Sequence, residues 1–260
     1  MENSNKALNN SLDKALKLLL FFTPERNTIG LSELSRISGM PKATVYRLIS
    51  TLQEHGFIDK ASILGRDSQY KLGLRFLELG KLVSEGLEIR KIALPYMEKL
   101  RDEINECVQL VIKDHDEAVY IEKLECSRLI RLYTRTGRRA PLYGGACPRA
   151  ILTFLKDEEI NSILDSESMT KVTDYTVVDK QKLLELIKED RKRGYTVSYG
   201  ELEPETAAIG APIIDHTGSV VASISIAGPE QRFTEKELPY LVEKLLKTSK
   251  AISRALGYNK

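Results

Sequence analysis

Cysteine is scarce in this 260-residue chain and none of it is paired in sequence. Cys107, Cys126 and Cys147 are odd in number, far apart and without a CxxC spacing. That argues against a disulfide framework and a structural zinc site, and for a reducing compartment. Histidine is equally thin: His55 lies in the N-terminal third, and His115 and His216 fall in turn-like stretches. No metal site, cofactor or catalytic constellation is therefore expected. Long apolar runs are missing as well. The most apolar N-terminal stretch, Leu18–Phe22, is too short for a membrane span or a secretory leader, so a cytoplasmic location and no membrane partner are expected. A net charge of +2 is too small for a general nucleic-acid coat, and its slight basic excess lies in residues 1–80. There are no repeats and no low-complexity tract. With 42% hydrophobic and 29% charged residues, the chain has the balance of a globular protein and room for two domains.

What is present begins with Leu31–Ile58, LSELSRISGMPKATVYRLISTLQEHGFI. Leu31, Leu34 and Ile37 mark one face of a short helix. Gly39 tolerates positive φ, and Pro41 can open a second helix without costing a needed N–H. Val45, Leu48, Ile49 and Leu52 follow the i, i+3, i+4, i+7 pattern of a buried helical face. The opposite face carries Ala43, Arg47 and Ser50, flanked by Thr44, Tyr46 and Thr51. Hydroxyls that meet phosphates, with one arginine that can read guanine, suit a DNA major groove. His55-Gly56 ends this helix. Two short strands, Phe57–Lys60 and Gln69–Gly73, then flank the tip Gly65-Arg66-Asp67-Ser68, a β-wing with Arg66 placed to reach the duplex.

Upstream, Ser11 is placed to cap a helix whose inner face is Leu12, Ala15, Leu16 and Leu19. A second apolar set, Leu18, Leu20 and Phe22, is explained by wider burial in preference to a dimer contact. Downstream, residues 74–83 and 87–105 read as helices, with Pro95 kinking or restarting the second. The period then changes: residues 107–112 and 118–124 form a hairpin and Leu129–Tyr133 a third strand. After a glycine-rich stretch, helices are expected near 148–155, 157–164 and 179–193, and strands over 195–199, 207–214 and 220–227. A last helix is capped by Thr234.

Across nearly its whole length the sequence resembles the IclR family of bacterial transcriptional regulators, through MPKATVYRLISTLQEHGFI, YKLGLRFLELG, TGRRAPLY, GAPIID and SISIAGP. The resemblance implies an α+β chain with a winged helix-turn-helix over residues 1–73, a linker helix over 74–86, and a GAF-like effector-binding domain over 87–260. It also implies a homodimer or homotetramer on a double-stranded DNA operator, with a small organic acid altering binding and repression the expected output. Recognition-helix contacts would come from Lys42, Ala43, Thr44, Tyr46, Arg47 and Ser50, with Arg66 from the wing. Carried over by position, the effector site would hold Gly145, Ala146, Cys147 and Ser198, with Ala208, Ser225 and Ala227 on the central strands. Glycines at a helix start let amides meet a carboxylate. Ala227 stands where serine is frequent, Ser198 where some members have aspartate, and Ala208 where many have cysteine. Those losses of polarity point to a larger or differently substituted acid, aromatic or sugar-derived. Glu201, Glu203 and Glu205 also depart from a common glycine at the last position; they face either the pocket or, as is commoner for loop glutamates, solvent. The contrasting class is a thiol-dependent enzyme or redox sensor using Cys147, for which no partner base is evident.

Overall fold

The computed structural model describes residues 9–61, 69–86, 88–130, 132, 134–165 and 169–259. It divides into two compact units, Met1–Gly86 and Leu87–Lys260.

The first unit has helices α1 (Asn10–Leu19), α2 (Leu31–Ser38), α3 (Lys42–Glu54) and α4 (Arg75–Gly86), with strands β1 (Ile29–Gly30), β2 (Ile58–Ala61) and β3 (Gln69–Leu72). The strands form an antiparallel sheet in the order β1-β3-β2. Leu18, Leu34, Val45, Ile49 and Ile58 are completely or almost completely buried in one core. At about 1.5–3 kcal/mol for each fully buried aliphatic side chain, this small core is the main favourable contribution to the unit. Gly39 closes α2 at φ 67°, a left-handed conformation that glycine adopts without a Cβ clash. The Ser35 hydroxyl ties the turn by donating to the Met40 carbonyl at 2.7 Å.

Helix α1 departs from expectation at both its start and its faces. Asn9, not Ser11, is the N-cap, and its side chain accepts from the Leu12 amide at 3.1 Å. Both residue types cap well, so local chemistry alone does not choose between them. Leu18 is the fully buried residue of this helix, while Leu12, Leu16 and Leu20 are 57%, 54% and 78% exposed. Of the face expected inward, Leu12 and Leu16 are outward, whereas Ala15 and Leu19 are half-buried and Leu19 packs on the core.

In the second unit a six-stranded antiparallel sheet has the order β6-β5-β4-β9-β8-β7. Its strands are β4 (Cys107–Asp114), β5 (Glu117–Leu124), β6 (Arg139–Pro141), β7 (Thr196–Tyr199), β8 (Thr206–Ile214) and β9 (Val220–Pro229). Helices α5 (Glu88–Ile104) and α9 (Leu238–Ala255) cover one face, packing Met97, Leu100, Leu245 and Ile252 on Ile209, Ile213, Ile224 and Ile226. Helices α6 (Ala146–Phe154), α7 (Asp157–Leu164) and α8 (Lys180–Arg193) belong to the other, with Ile151, Leu152, Leu183 and Ile187 packed with Val111 and Tyr120. Alternation sorts each strand: Ile224 and Ile226 of β9 face α5 and α9, leaving Ser223, Ser225 and Ala227 on the α6 side.

Three local expectations change here. Among the described residues the strand after the hairpin is Arg139–Pro141; of the expected strand, Leu129 and Ile130 lie in a bend and are 96% and 75% exposed, and residues 131 and 133 lie outside the described residues. An apolar run of that length does not distinguish a strand from an exposed loop. Helix α5 runs unbroken through Pro95, which sits on its exposed side, where the carbonyl one turn back can be hydrated. Regular helix in α9 begins at Leu238, although Thr234 still accepts from the Glu237 amide at 3.4 Å. Pro239 lacks the N–H that would extend the ladder back to residue 235.

Candidate functional site

Helix α3 presents the face that sequence reading assigns to DNA. Lys42, Ala43, Tyr46, Arg47 and Ser50 are exposed, Thr44 is half-buried, and Val45 and Ile49 anchor the opposite face. Tyr46 is 55% exposed, so its ring and hydroxyl are available on this face. Arg66 and the wing tip lie outside the described residues.

The second site is a narrow cavity on the α6 side of the larger sheet, with about 30 Å³ of enclosed space. Of the residues expected there, Gly145, Ala146, Cys147, Ser198, Ala208 and Ala227 line it. Ser225 stands behind the wall, its hydroxyl donating at 3.3 Å to Gln109 Oε1. Gln109 does line the cavity and also donates to Thr134 Oγ1 at 2.9 Å. Tyr120, Arg138, Glu201, Leu202 and Glu203 complete the functional part of the wall. Burial pushes the Tyr120 phenol well above its ordinary pKa, so it is a neutral polar group.

The start of α6 is where the structure differs most from the sequence-based expectation. Two of its first amides are already taken by side chains of the chain itself. Gly145 N–H donates to Glu201 Oε2 at 2.9 Å, and Ala146 N–H donates to Ser198 Oγ at 2.9 Å. Pro148 has no N–H to offer. Gly145 is at φ 78°, and a Cβ there would come within 2.6 Å of Leu202, so the glycine also makes room for the 200–205 loop. Glu201, expected to face either the pocket or solvent, is 7% exposed because this helix terminus and a buried guanidinium hold it. Glu205 is exposed and takes φ 57°, a left-handed conformation that glycine adopts more readily.

The guanidinium is that of Arg149, 1% exposed. Its Nη1 lies 2.6 and 2.8 Å from the two Glu201 oxygens, and its Nε lies 3.2 Å from Asp190 Oδ2. A further N–H donates to the Val197 carbonyl, and Asp190 also accepts from Arg193. Burial disfavours charge on Arg149, but Glu201 and Asp190 outweigh it and hold its pKa above the usual arginine value. Burial pushes the Asp190 carboxyl up against the opposing pull of Arg149 and Arg193. Two guanidinium partners on one carboxylate favour the ionised form, and the geometry supports that state. Sequence reading missed this cluster because a buried arginine looks like a surface one until its partners, distant in sequence, are brought to it.

Cys147 is 2% exposed, with Sγ 3.2 Å from the Ser223 hydroxyl. Burial raises its pKa to about 11, outweighing the lowering by the Ser223 and Ser225 hydroxyls. The helix start thus does not activate this thiol. Cys107 and Cys126, far apart in sequence, have their sulfurs 3.8 Å apart as free thiols. Among the described residues no cluster of His, Cys, Asp and Glu could hold a metal ion, and no helix is long and apolar enough to cross a membrane.

Comparison with known proteins fits both units. The family model for the IclR helix-turn-helix domain matches residues 11–62, and that for the bacterial transcriptional regulator IclR C-terminal matches residues 82–254. The HTH-type transcriptional regulator KipR of Bacillus subtilis is 48% identical over 99% of this chain and 100% of its own length. The HTH-type transcriptional repressor AllR of Escherichia coli is 32% identical over 95% and 90%. A crystal structure of an IclR homologue from Microbacterium hydrocarbonoxydans, complexed with 4-hydroxybenzoate, is 26% identical with a TM-score of 0.78, covering 95% of this chain and 98% of that one. The chain belongs to the IclR family: it is a DNA-binding transcriptional regulator with a winged helix-turn-helix followed by an antiparallel, helix-flanked effector-binding domain.

Proposed function

We propose that this regulator is a repressor whose residues 87–260 sense a small organic acid and whose residues 1–73 hold an operator, with 74–86 linking them. The observation that carries the sensing half is the cavity on the α6 side, walled by Gln109, Ser198 and Arg138 yet backed by a closed apolar core. Concave sites with a few convergent polar groups are where small ligands bind. A relative named as a repressor and another crystallised with 4-hydroxybenzoate support this reading. Arg47 reads a base edge, while Lys42, Thr44, Tyr46 and Ser50 position the helix on phosphates, with Ala43 leaving room for close approach and Arg66 reaching from the wing. In the cavity Gly145, Ala146, Cys147, Ala208 and Ala227 set the shape, and Ser198 and the Ser225–Gln109 pair supply polarity.

The protein works as a homodimer or homotetramer. Leu12, Leu16 and Leu20 of α1 and Leu77, Leu82 and Val83 of α4 are all more than half exposed, an apolar load that a second copy can cover. It acts in the cytoplasm, on DNA, without catalysis: a buried thiol with its pKa near 11 is a poor nucleophile. The acid changes operator affinity only through different affinities for the DNA-competent and incompetent arrangements. Selection of genomic fragments on the full chain, with and without a panel of acids, tests this reading. Recovery of discrete fragments whose yield one acid changes supports it. Uniform recovery of all sequences, with no acid effect, contradicts it.

A further inference from the structure

Arg138 is the one cation among the described residues that line the cavity. It is already paired with Glu203 of the same wall. The two come from loops 65 residues apart, so the pair fastens the 200–205 loop to the segment before β6. Glu201, the other wall carboxylate, is neutralised from behind by Arg149. The wall therefore carries no spare positive charge. A second carboxylate entering beside an intact Arg138–Glu203 pair would face Glu203 without a counter-ion.

Both backbones are held, that of Glu203 by the Thr206 hydroxyl donating to its carbonyl at 2.7 Å, but the guanidinium has contacts besides its partner. Arg138 is fixed through its backbone: its carbonyl accepts from Tyr120 N–H at 3.0 Å, and its own N–H donates to the Arg135 carbonyl at 3.1 Å. Its guanidinium also reaches the Leu202 carbonyl at 3.4 Å and lies 6.0 Å from the centre of the Tyr120 ring. The Glu203 side chain is 32% exposed and has a path to water. When the pair opens, Glu203 is the member that can leave.

We propose that Arg138 anchors the effector's carboxylate and that Glu203 is its built-in competitor. Binding is an exchange: the acid takes the guanidinium and Glu203 swings to solvent, releasing the tie on the 200–205 loop. The inference rests on the acid-sensing reading above. It makes Glu203 a residue that sets how much acid is needed, and Arg138 the residue that selects acids over their neutral amides.

The test is calorimetric titration of the full chain with benzoate, 4-hydroxybenzoate, pyruvate and gluconate, each beside its amide. Wild type, Glu203→Gln and Arg138→Gln are compared, with circular dichroism to establish that each variant is folded. The expected result is at least one acid that binds wild type while its amide does not. That acid should bind Glu203→Gln about three- to tenfold more tightly, the range expected for removing a partly exposed ionic competitor. It should lose most of its affinity for Arg138→Gln. An acid that binds wild type with Glu203→Gln unchanged or weaker overturns the inference and leaves acid sensing standing. If no acid binds either wild type or Glu203→Gln, the acid-sensing reading fails and the inference with it. Glu203→Gln changes a partly exposed side chain, so the outcome does not depend on Arg138→Gln folding.

Discussion

The amide of Gly145 donates to the carboxylate of Glu201, 56 residues further along the chain, at 2.9 Å. The chain thus supplies its own anion to the helix start that its glycines leave accessible. The same carboxylate receives Arg149, which joins α6, α8 and the 200–205 loop into one buried ionic cluster. Glu201 is the member of the cluster that lines the cavity, so disrupting the cluster should be felt in both stability and binding.

Replacing Arg149 with Met leaves Glu201 and Asp190 buried without their shared cation. Removing one partner of a buried pair costs about 3–5 kcal/mol. In a unit of this size each kcal/mol lowers the melting temperature by about 2–4 °C. Differential scanning calorimetry of the full chain should show the transition of the second unit falling by about 6–20 °C. An unchanged transition would mean that the cluster is not buried as described.

Cys147 should be inert in the folded protein. Its pKa of about 11 leaves roughly one thiol in a thousand ionised at pH 8, against roughly a quarter for an unperturbed thiol. Iodoacetamide at pH 8 should leave Cys147 unmodified in the native state and modify it in urea, as read by peptide mass spectrometry. The raised folded pKa stabilises the neutral thiol, so this contribution to stability changes little below the unfolded pKa. As pH rises above that value, folding increasingly disfavours the thiolate, and stability falls until the folded pKa is reached. Rapid native labelling of Cys147 would contradict the burial that excludes thiol chemistry here.

The exposed leucines of α1 and α4 give a third expectation. Leu16→Glu together with Leu77→Glu should lower the mass of the full chain in sedimentation equilibrium to that of a smaller assembly or a monomer. The fold should survive, because Leu16 and Leu77 are 54% and 71% exposed. A wild-type chain that is monomeric at micromolar concentration would overturn the proposed self-association.

Much of this fold was legible in the residues because periodicity and punctuation agree. Gly39 ends α2, Pro41 precedes α3, and Gly194 ends α8 at φ 82° as its position after the apolar stripe suggests. The period-2 runs from Cys107 and Val220 became adjacent strands β4 and β9. The failures were tertiary. Leu12 and Leu16 share a helical face, but periodicity cannot say whether that face meets the core or another chain. Leu129 and Ile130 have strand-like composition and lie in an exposed bend. Glu201 and Arg149 are separated by 52 residues, so nothing local marks either as buried or as the other's partner. For the cavity, the family resemblance carried Gly145, Cys147 and Ala227 to one wall and left Glu203 between pocket and solvent, but Arg138, the cation of that wall, went unassigned.

The most direct test of the central claim is fluorescence anisotropy of DNA from the protein's own upstream region. Wild type and Arg47→Ala are titrated at two salt concentrations, with and without the acid that the calorimetric panel identifies. The account predicts tight binding that weakens steeply with salt, because each phosphate contact releases counterions. It predicts a loss for Arg47→Ala of about 1–3 kcal/mol with relaxed sequence preference, and a shift in wild-type affinity when the acid is added. Binding that is the same for Arg47→Ala and indifferent to sequence and to the acid would contradict the assignment of α3 as the reading helix and of the cavity as its control.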